Sequence, residues 1–334
     1  MSEEMINEME SVSSDRVKNI REQTTKTFGK EALVDFSGKN IIPVPSFSTG
    51  SMLINKALGI GGWPQGRMIE IAGAPSSAKS TVTLHAMAEM QKTGRLVGLC
   101  EPENCFDPFY ATNIGVDLNT LFLTQPDSAE QGLSIIEDWI KTGEFGLIAV
   151  DSLDAMVPQM ITESDYGTST MALTARLIST ANRRLNPLCK KYNTTLIWVN
   201  QYRSSLNPYG PSEVTGGGKS VPYYASVRAK LKQKEKEAGT GGSPAGMFEI
   251  SFIKNKVAVP FTSCQFMVEY GKGIVKENEL VDLGVEYGLV TKGGAWYTIG
   301  EERFQGKQKA IEFFKENSDI RDAIEKQVRD KMHE

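Results

Sequence analysis

Histidine is nearly absent from this chain: 334 residues contain only His85 and His333. Cysteine is scarce too, and Cys100, Cys105, Cys189 and Cys264 form no CxxC pair. A zinc site is therefore disfavoured, and a reduced, cytosolic compartment is the expected home. No apolar run reaches the roughly 18 residues of a membrane span, so no membrane partner is expected. The acidic opening MSEEMINEMESVSSD lacks the apolar segment of a secretory signal. A formal net charge of −4 argues against a surface covered in nucleic-acid-binding cations but is compatible with a local basic groove. What is present is a globular composition, 40% hydrophobic and 23% charged. The length suits one large α/β domain with one or two small ones.

Along the chain, residues 1–40 read as a helical lead-in. Val17, Ile20, Phe28, Leu33 and Val34 are loosely spaced, which predicts a short helix that docks elsewhere. The stretch from Ile41 to Gly66 is rich in Pro and Gly and reads as irregular. Short apolar runs then alternate with helical patterns: MIEIA, RLVGLC, LFLT, GLIAVD and TLIWVN. That alternation predicts a mostly parallel sheet buried on both faces, within a core spanning 41–274. From 275 to 334 the texture turns helical and charged, which predicts a small C-terminal domain.

The stretch Gly73, Ala74, Pro75, Ser76, Ser77, Ala78, Lys79, Ser80, Thr81 follows the first of these runs and opens a helical segment. Strand, tight small-residue loop, Lys-Ser and helix is the arrangement a nucleotide phosphate tail needs, with backbone N–H groups and a helix N-terminus converging on the oxygens. Lys79 would reach the β/γ-phosphates and Ser80 would ligate Mg²⁺. The pattern wants glycine before the lysine, and this chain has Ala78. A negative φ is expected there, so that the methyl group is tolerated. Asp151, at the end of GLIAVD, is placed to hold Mg²⁺. Asn200 and Gln201 fall at the tip of TLIWVN, where Gln201 either senses a γ-phosphate or satisfies a turn. Glu101, Glu103 and Asp107 follow another strand, where a carboxylate could orient an attacking water or be simply solvated.

Taken together, FSTGSMLINKALGIGGWPQGRMIEIAG, ENCFDPFYATNIGV, TQPDSAEQGL, VDSLDAMVP, VNQYR, GGGKSVPYYASVR, KNKVAVPF and ELVDLGVEYGLVTKGGAWY resemble, in order, segments of the RecA family of recombinases. The resemblance covers about residues 15–330. It implies a phosphate-loop ATPase core, an N-terminal polymerisation helix and a small α+β C-terminal domain. It also implies ATP hydrolysis with Mg²⁺ held by Ser80 and Asp151, with Glu103 activating water. Asp107, Tyr110 and Tyr270 match adenine neighbours, and Gln201 matches the residue coupling nucleotide state to DNA. Lys254 and Lys256 resemble a pair reaching the neighbouring subunit's ATP; read without the family they are two solvated lysines on a strand.

The same resemblance assigns Thr162–Leu173 and Arg203–Ser220 to two DNA-binding loops. Met171 and Leu206 match apolar wedges between bases, and Arg176, Arg183 and Arg203 fall among the DNA-contacting positions. Gly216, Gly217 and Gly218 would bring backbone N–H groups close to phosphates. The implied partners are single- and double-stranded DNA, further copies of this chain in a helical filament, and single-strand-binding and loader proteins. Pro75 and Pro222 depart from the family pattern, and the compactness is similar to phage-encoded members of a bacterial cytoplasmic family. Two alternatives stay open: a non-catalytic, ATP-dependent single-strand-binding mediator, and a hexameric helicase-type motor on the same core.

Overall fold

The computed structural model describes residues 3–29, 32–33, 44–162, 171–204, 213–238 and 243–333. Residues 1–43 and 44–334 form separate units. In the first, α1 (Glu3–Phe28) runs 26 residues, longer than the short helix expected. Acidic residues at its start and Lys26 in its last turn match the helix dipole, which the loose apolar spacing does not register. Val17, Ile20 and Phe28 are exposed along it.

In the second unit the described strands are β1 (Ser46–Phe47), β2 (Trp63–Pro64), β3 (Met68–Gly73), β4 (Leu96–Cys100), β5 (Leu121–Thr124), β6 (Phe145–Val150), β7 (Thr195–Ser204), β8 (Glu213–Thr215), β9 (Val227–Ala238), β10 (Pro244–Asn255), β11 (Ser263–Glu269), β12 (Gly273–Ile274), β13 (Thr291–Gly293), β14 (Trp296–Ile299) and β15 (Glu302–Gln305). The helices are α2 (Met52–Leu58), α3 (Lys79–Gln91), α4 (Pro108–Ile114), α5 (Ala129–Thr142), α6 (Gln159–Thr162), α7 (Met171–Tyr192), α8 (Ser220–Tyr224), α9 (Lys276–Glu286), α10 (Lys307–Glu316) and α11 (Ser318–His333).

The main sheet runs β12-β11-β10-β9-β3-β7-β6-β4-β5, with β8 paired to β7. Strands β9, β3, β7, β6, β4 and β5 are parallel, and β10, β11 and β12 extend them antiparallel. Successive residues on a parallel strand enter opposite cores. Ile69, Ile71, Leu147, Ala149, Ile197 and Val199 join one cluster with α3. Met68, Ile148, Val150, Leu196 and Trp198 join another with α5 and α7. Burial on both faces is why these strands read as unbroken apolar runs, and each such aliphatic side chain contributes roughly 1.5–3 kcal/mol.

The stretch from Ile41 to Gly66 is not irregular throughout, because α2 stands within its described part. Ser51 caps the helix, its Oγ accepting from the Ile54 N–H. Glu279 of α9 then accepts from Ser51 Oγ at 2.5 Å and from the Met52 N–H at 2.8 Å. Half of this capping arrives from 228 residues away, out of reach of local pattern. A third cluster, with Leu280, Val281, Ile311 and Phe314, packs α9, α10 and α11 against Met52, Ala245 and Met267.

Candidate active site

Parallel strands deliver their carboxyl ends to one edge, and the chemistry collects there. Gly73 ends β3. A Cβ on it would lie 2.3 Å from Ser77 Oγ and 2.7 Å from the Leu231 carbonyl oxygen, so only glycine lets the loop leave between β9 and Ser77. The loop then turns through left-handed residues, Ser76 at φ 57° and Ala78 at φ 66°. The expectation of a negative φ at Ala78 is wrong: alanine occupies the conformation that glycine supplies without strain. Alternating handedness turns successive N–H groups inward, forming an anion-binding nest at the start of α3.

Lys79 is buried, its Nζ donating to the Ala74 carbonyl at 2.8 Å. Burial lowers its pKa, opposed by the charges of Asp151, Glu103 and Asp154. Asp151 follows β6 directly. Burial raises its carboxyl above the ordinary value, against a hydrogen bond from Ser80 and the charge of Lys79. Glu103 accepts from Ser152 Oγ at 2.5 Å. Glu101, buried behind it, accepts from the Cys105 N–H at 3.1 Å and Gln125 Nε2 at 3.0 Å. Lys79, Ser80, Asp151 and Glu103 thus meet within one electrostatic cluster. Ser152 and Gln125, not singled out in the sequence, hold its carboxylates in place.

Beside the loop lies a cavity of about 510 Å³, lined by residues 76–81, Asp107, Tyr110, Asn113, Phe248 and Tyr270, with Phe109 at its exposed lip. Asp107 caps α4, Oδ1 accepting from the N–H groups of Phe109 and Tyr110 at 2.9 and 3.1 Å. Tyr110 Oη meets Thr81 Oγ1 at 2.7 Å, and Tyr270 Oη accepts from Gln233 Nε2 at 2.9 Å. Two hydroxyl-anchored aromatic rings beside an anion nest suit a nucleotide, with an apolar wall on one side and N–H donors on the other. Ser77 Oγ, buried and without a hydrogen-bond partner among the described residues, is a spare polar group in the same loop.

The second cluster lies part-way along β7, which runs on to Ser204, so Asn200 and Gln201 are not at its tip as expected but level with Ala72 and Gly73 at the end of β3. Asn200 donates from Nδ2 to Glu70 at 3.0 Å and to the Gly216 carbonyl at 3.1 Å, while its Oδ1 accepts from the Gly216 N–H at 3.0 Å. The Gly216 N–H is therefore already engaged, contrary to the expectation of an open N–H at this first glycine of the run. Close packing accounts for two of the glycines, since added Cβ atoms would lie 1.9 Å from Asp154 Oδ1 at Gly216 and 2.4 Å from Leu153 Cδ2 at Gly217, and Gly218 takes a left-handed φ of 73°.

Gln201 and Arg203 continue along β7, and Arg203 pairs with Asp154 at 3.2 Å. Arg176 and Arg183 are exposed on α7. Lys254 is not a freely solvated cation; its Nζ donates to the carbonyls of Pro222 and Tyr223 at 2.6 and 3.0 Å. Burial, with Lys256 and Arg228 nearby, pushes it down to about 8. Lys256 is exposed. Met171 begins α7. Leu206 lies outside the described residues.

A phosphate nest with its acid cluster at the edge of a parallel sheet defines a nucleotide-binding ATPase of the phosphate-loop class. The family model for the RecA N-terminal domain matches residues 15–275, and that for the RecA C-terminal domain matches 278–333. Among curated relatives, Protein RecA of Macrococcus caseolyticus is 41% identical over 309 residues, covering 92% of this chain and 88% of that protein. Protein RecA of Staphylococcus epidermidis is 40% identical over 330 residues, covering 98% and 93%. Protein RecA of Chlorobaculum parvum is 40% identical over 318 residues, covering 93% and 90%. The chain belongs to the RecA family, the DNA-dependent ATPases of homologous recombination. The helicase-type and non-catalytic alternatives give way to that membership. No described helix is long and apolar enough to cross a membrane.

Proposed function

We propose that the chain binds ATP in the cavity between Tyr110 and Tyr270 and assembles on single-stranded DNA as a filament with each ATP at a subunit boundary. The observation that carries this is the convergence of Lys79, Ser80, Asp151 and Glu103 beside an aromatic-walled cavity. Ser80 and Asp151 would hold Mg²⁺, which supplies charge neutralisation at the phosphate oxygens. Ser152 orients Glu103 to take a proton from the attacking water. Lys79 neutralises charge developing on the phosphoryl oxygens. Lys254 and Lys256 act from the neighbouring subunit, and α1 supplies its exposed apolar positions to the next copy.

Arg176, Arg183 and Arg203 contact the DNA backbone, with Gly217 and Gly218 close by and Met171 and Leu206 as apolar wedges. Base pairing then supplies sequence specificity while the protein reads backbone. The 1–40, 41–274 and 275–334 segments serve polymerisation, catalysis and a small C-terminal function, in a bacterial cytoplasm. Double-stranded DNA, single-strand-binding proteins and loaders are the further partners.

The test is ATP hydrolysis with and without oligo-dT. Wild type should be stimulated by DNA, and Glu103→Gln should lose at least about 100-fold in turnover while keeping nucleotide affinity. Undiminished hydrolysis by Glu103→Gln would overturn the assignment of the base.

A further inference from the structure

The cavity beneath the glycine run, about 960 Å³, is lined by four cations: Arg203, Lys219, Arg228 and Lys230. Three already have a carboxylate of their own. Arg228 pairs with Glu70 at 2.5 Å, Lys230 with Glu213 at 2.5 Å, and Arg203 with Asp154 at 3.2 Å. The third pair differs from the others in its exposure. The Arg203 side chain is 62% exposed, whereas Asp154 is 11% exposed and sits against Gly216. In the Arg228 pair both partners are largely buried, and in the Lys230 pair the carboxylate is the more exposed. Only Arg203 therefore combines a cation open to a large ligand with a fixed, buried carboxylate.

Asp154 also bridges two regions. It contributes to the electrostatics of Lys79 on one side and touches the glycine run and Arg203 on the other. We propose that Asp154 is a fixed internal counter-ion for Arg203 that competes with the phosphate backbone and thereby sets the affinity and salt sensitivity of single-stranded DNA binding. Asp154 is a positioning residue, acting through Arg203. The proposal rests on the reading that Arg203 faces DNA. In the free protein the guanidinium leans on Asp154; a phosphate arriving from the exposed side exchanges one ion pair for another. Such an exchange releases less counter-ion from the strand's surroundings than engagement of a bare arginine.

The experiment measures binding of fluorescent oligo-dT to the full-length chain with a non-hydrolysable ATP analogue, across a salt series. Proteins are wild type, Asp154→Asn, Arg203→Ala and the double variant, with nucleotide affinity of each preparation reporting that it is folded. Asp154→Asn should bind about twofold to fivefold tighter at low salt, the scale of a partly exposed ion pair. Its plot of log affinity against log salt should steepen by up to about 0.7 per subunit, because the carboxylate that the exchange sets free in wild type takes up a cation and offsets the release from one phosphate, an offset the Asn variant lacks. In the Arg203→Ala background the Asn substitution should change neither quantity.

An unchanged or weaker Asp154→Asn, or an equal gain without Arg203, overturns the proposal and leaves the DNA reading intact. If Arg203→Ala binds like wild type, or wild type binds no oligo-dT, the DNA reading of Arg203 fails and the proposal falls with it.

Discussion

Ala78 holds a left-handed backbone at φ 66° with a methyl group in place. An L-residue there costs about 1–2 kcal/mol. Glycine would relieve that but adds freedom to the unfolded chain, an opposing effect of about 0.4–1 kcal/mol. Strain wins. Ala78→Gly should raise unfolding stability by up to about 1 kcal/mol in urea titrations, and should change ATP turnover by no more than about tenfold. A loss of stability would mean that the surrounding loop is built around the methyl group. The position also marks a limit of sequence reading. The lysine, serine and following helix in this loop were legible because their chemistry is local. The φ of Ala78 was not, since alanine ordinarily avoids such a value and only the closure of the loop imposes it.

At the scale of elements, α2 depends on Glu279 for its N-terminal cap, and burial pushes that carboxyl up to about 7 against the hydrogen bonds it accepts. A raised folded-state value contributes stability that is present below the unfolded value near 4.5 and is lost as pH rises toward 7. His85 acts oppositely. It accepts the Ile274 N–H at 2.9 Å, and burial pushes it down to about 4, so its contribution is present above 6.5 and lost as pH falls toward 4. The two slopes oppose each other between pH 4.5 and 6.5. Glu279→Gln removes one of them, so its stability relative to wild type should rise with pH from 4.5 to 7. Chemical denaturation at several pH values checks this, and a parallel pair of curves would refute it. The strands β3, β4, β6 and β7 were readable as apolar runs because both their faces are buried, whereas the edge strand β5 reads as apolar although Phe122 and Leu123 are exposed. The pairs Glu279–Ser51 and Asp154–Arg203 were not, because side chains far apart in sequence meet only once the sheet is formed.

For the whole molecule, the proposed assembly divides each catalytic site between two copies. Glu103→Gln and Lys254→Ala proteins should each be nearly inactive alone. Mixed in equal amounts, they should recover hydrolysis at interfaces joining the two intact halves, about a quarter of the total if copies assort at random. Steady-state ATPase of the mixture reads this out. Persistently dead mixtures that still form filaments would place both residues in one subunit's site.

The strand order carries a consequence for how the chain is made. β3, which carries the phosphate loop, has as its sheet neighbours β7 and β9, both far downstream. During synthesis that strand has no partner until residues 195–238 leave the ribosome, a wait of roughly ten to thirty seconds at bacterial elongation rates. Through that interval an apolar ribbon waits with both edges unpaired, open to pairing with other nascent chains. The phosphate loop is therefore seated in its sheet only long after its own sequence has been translated.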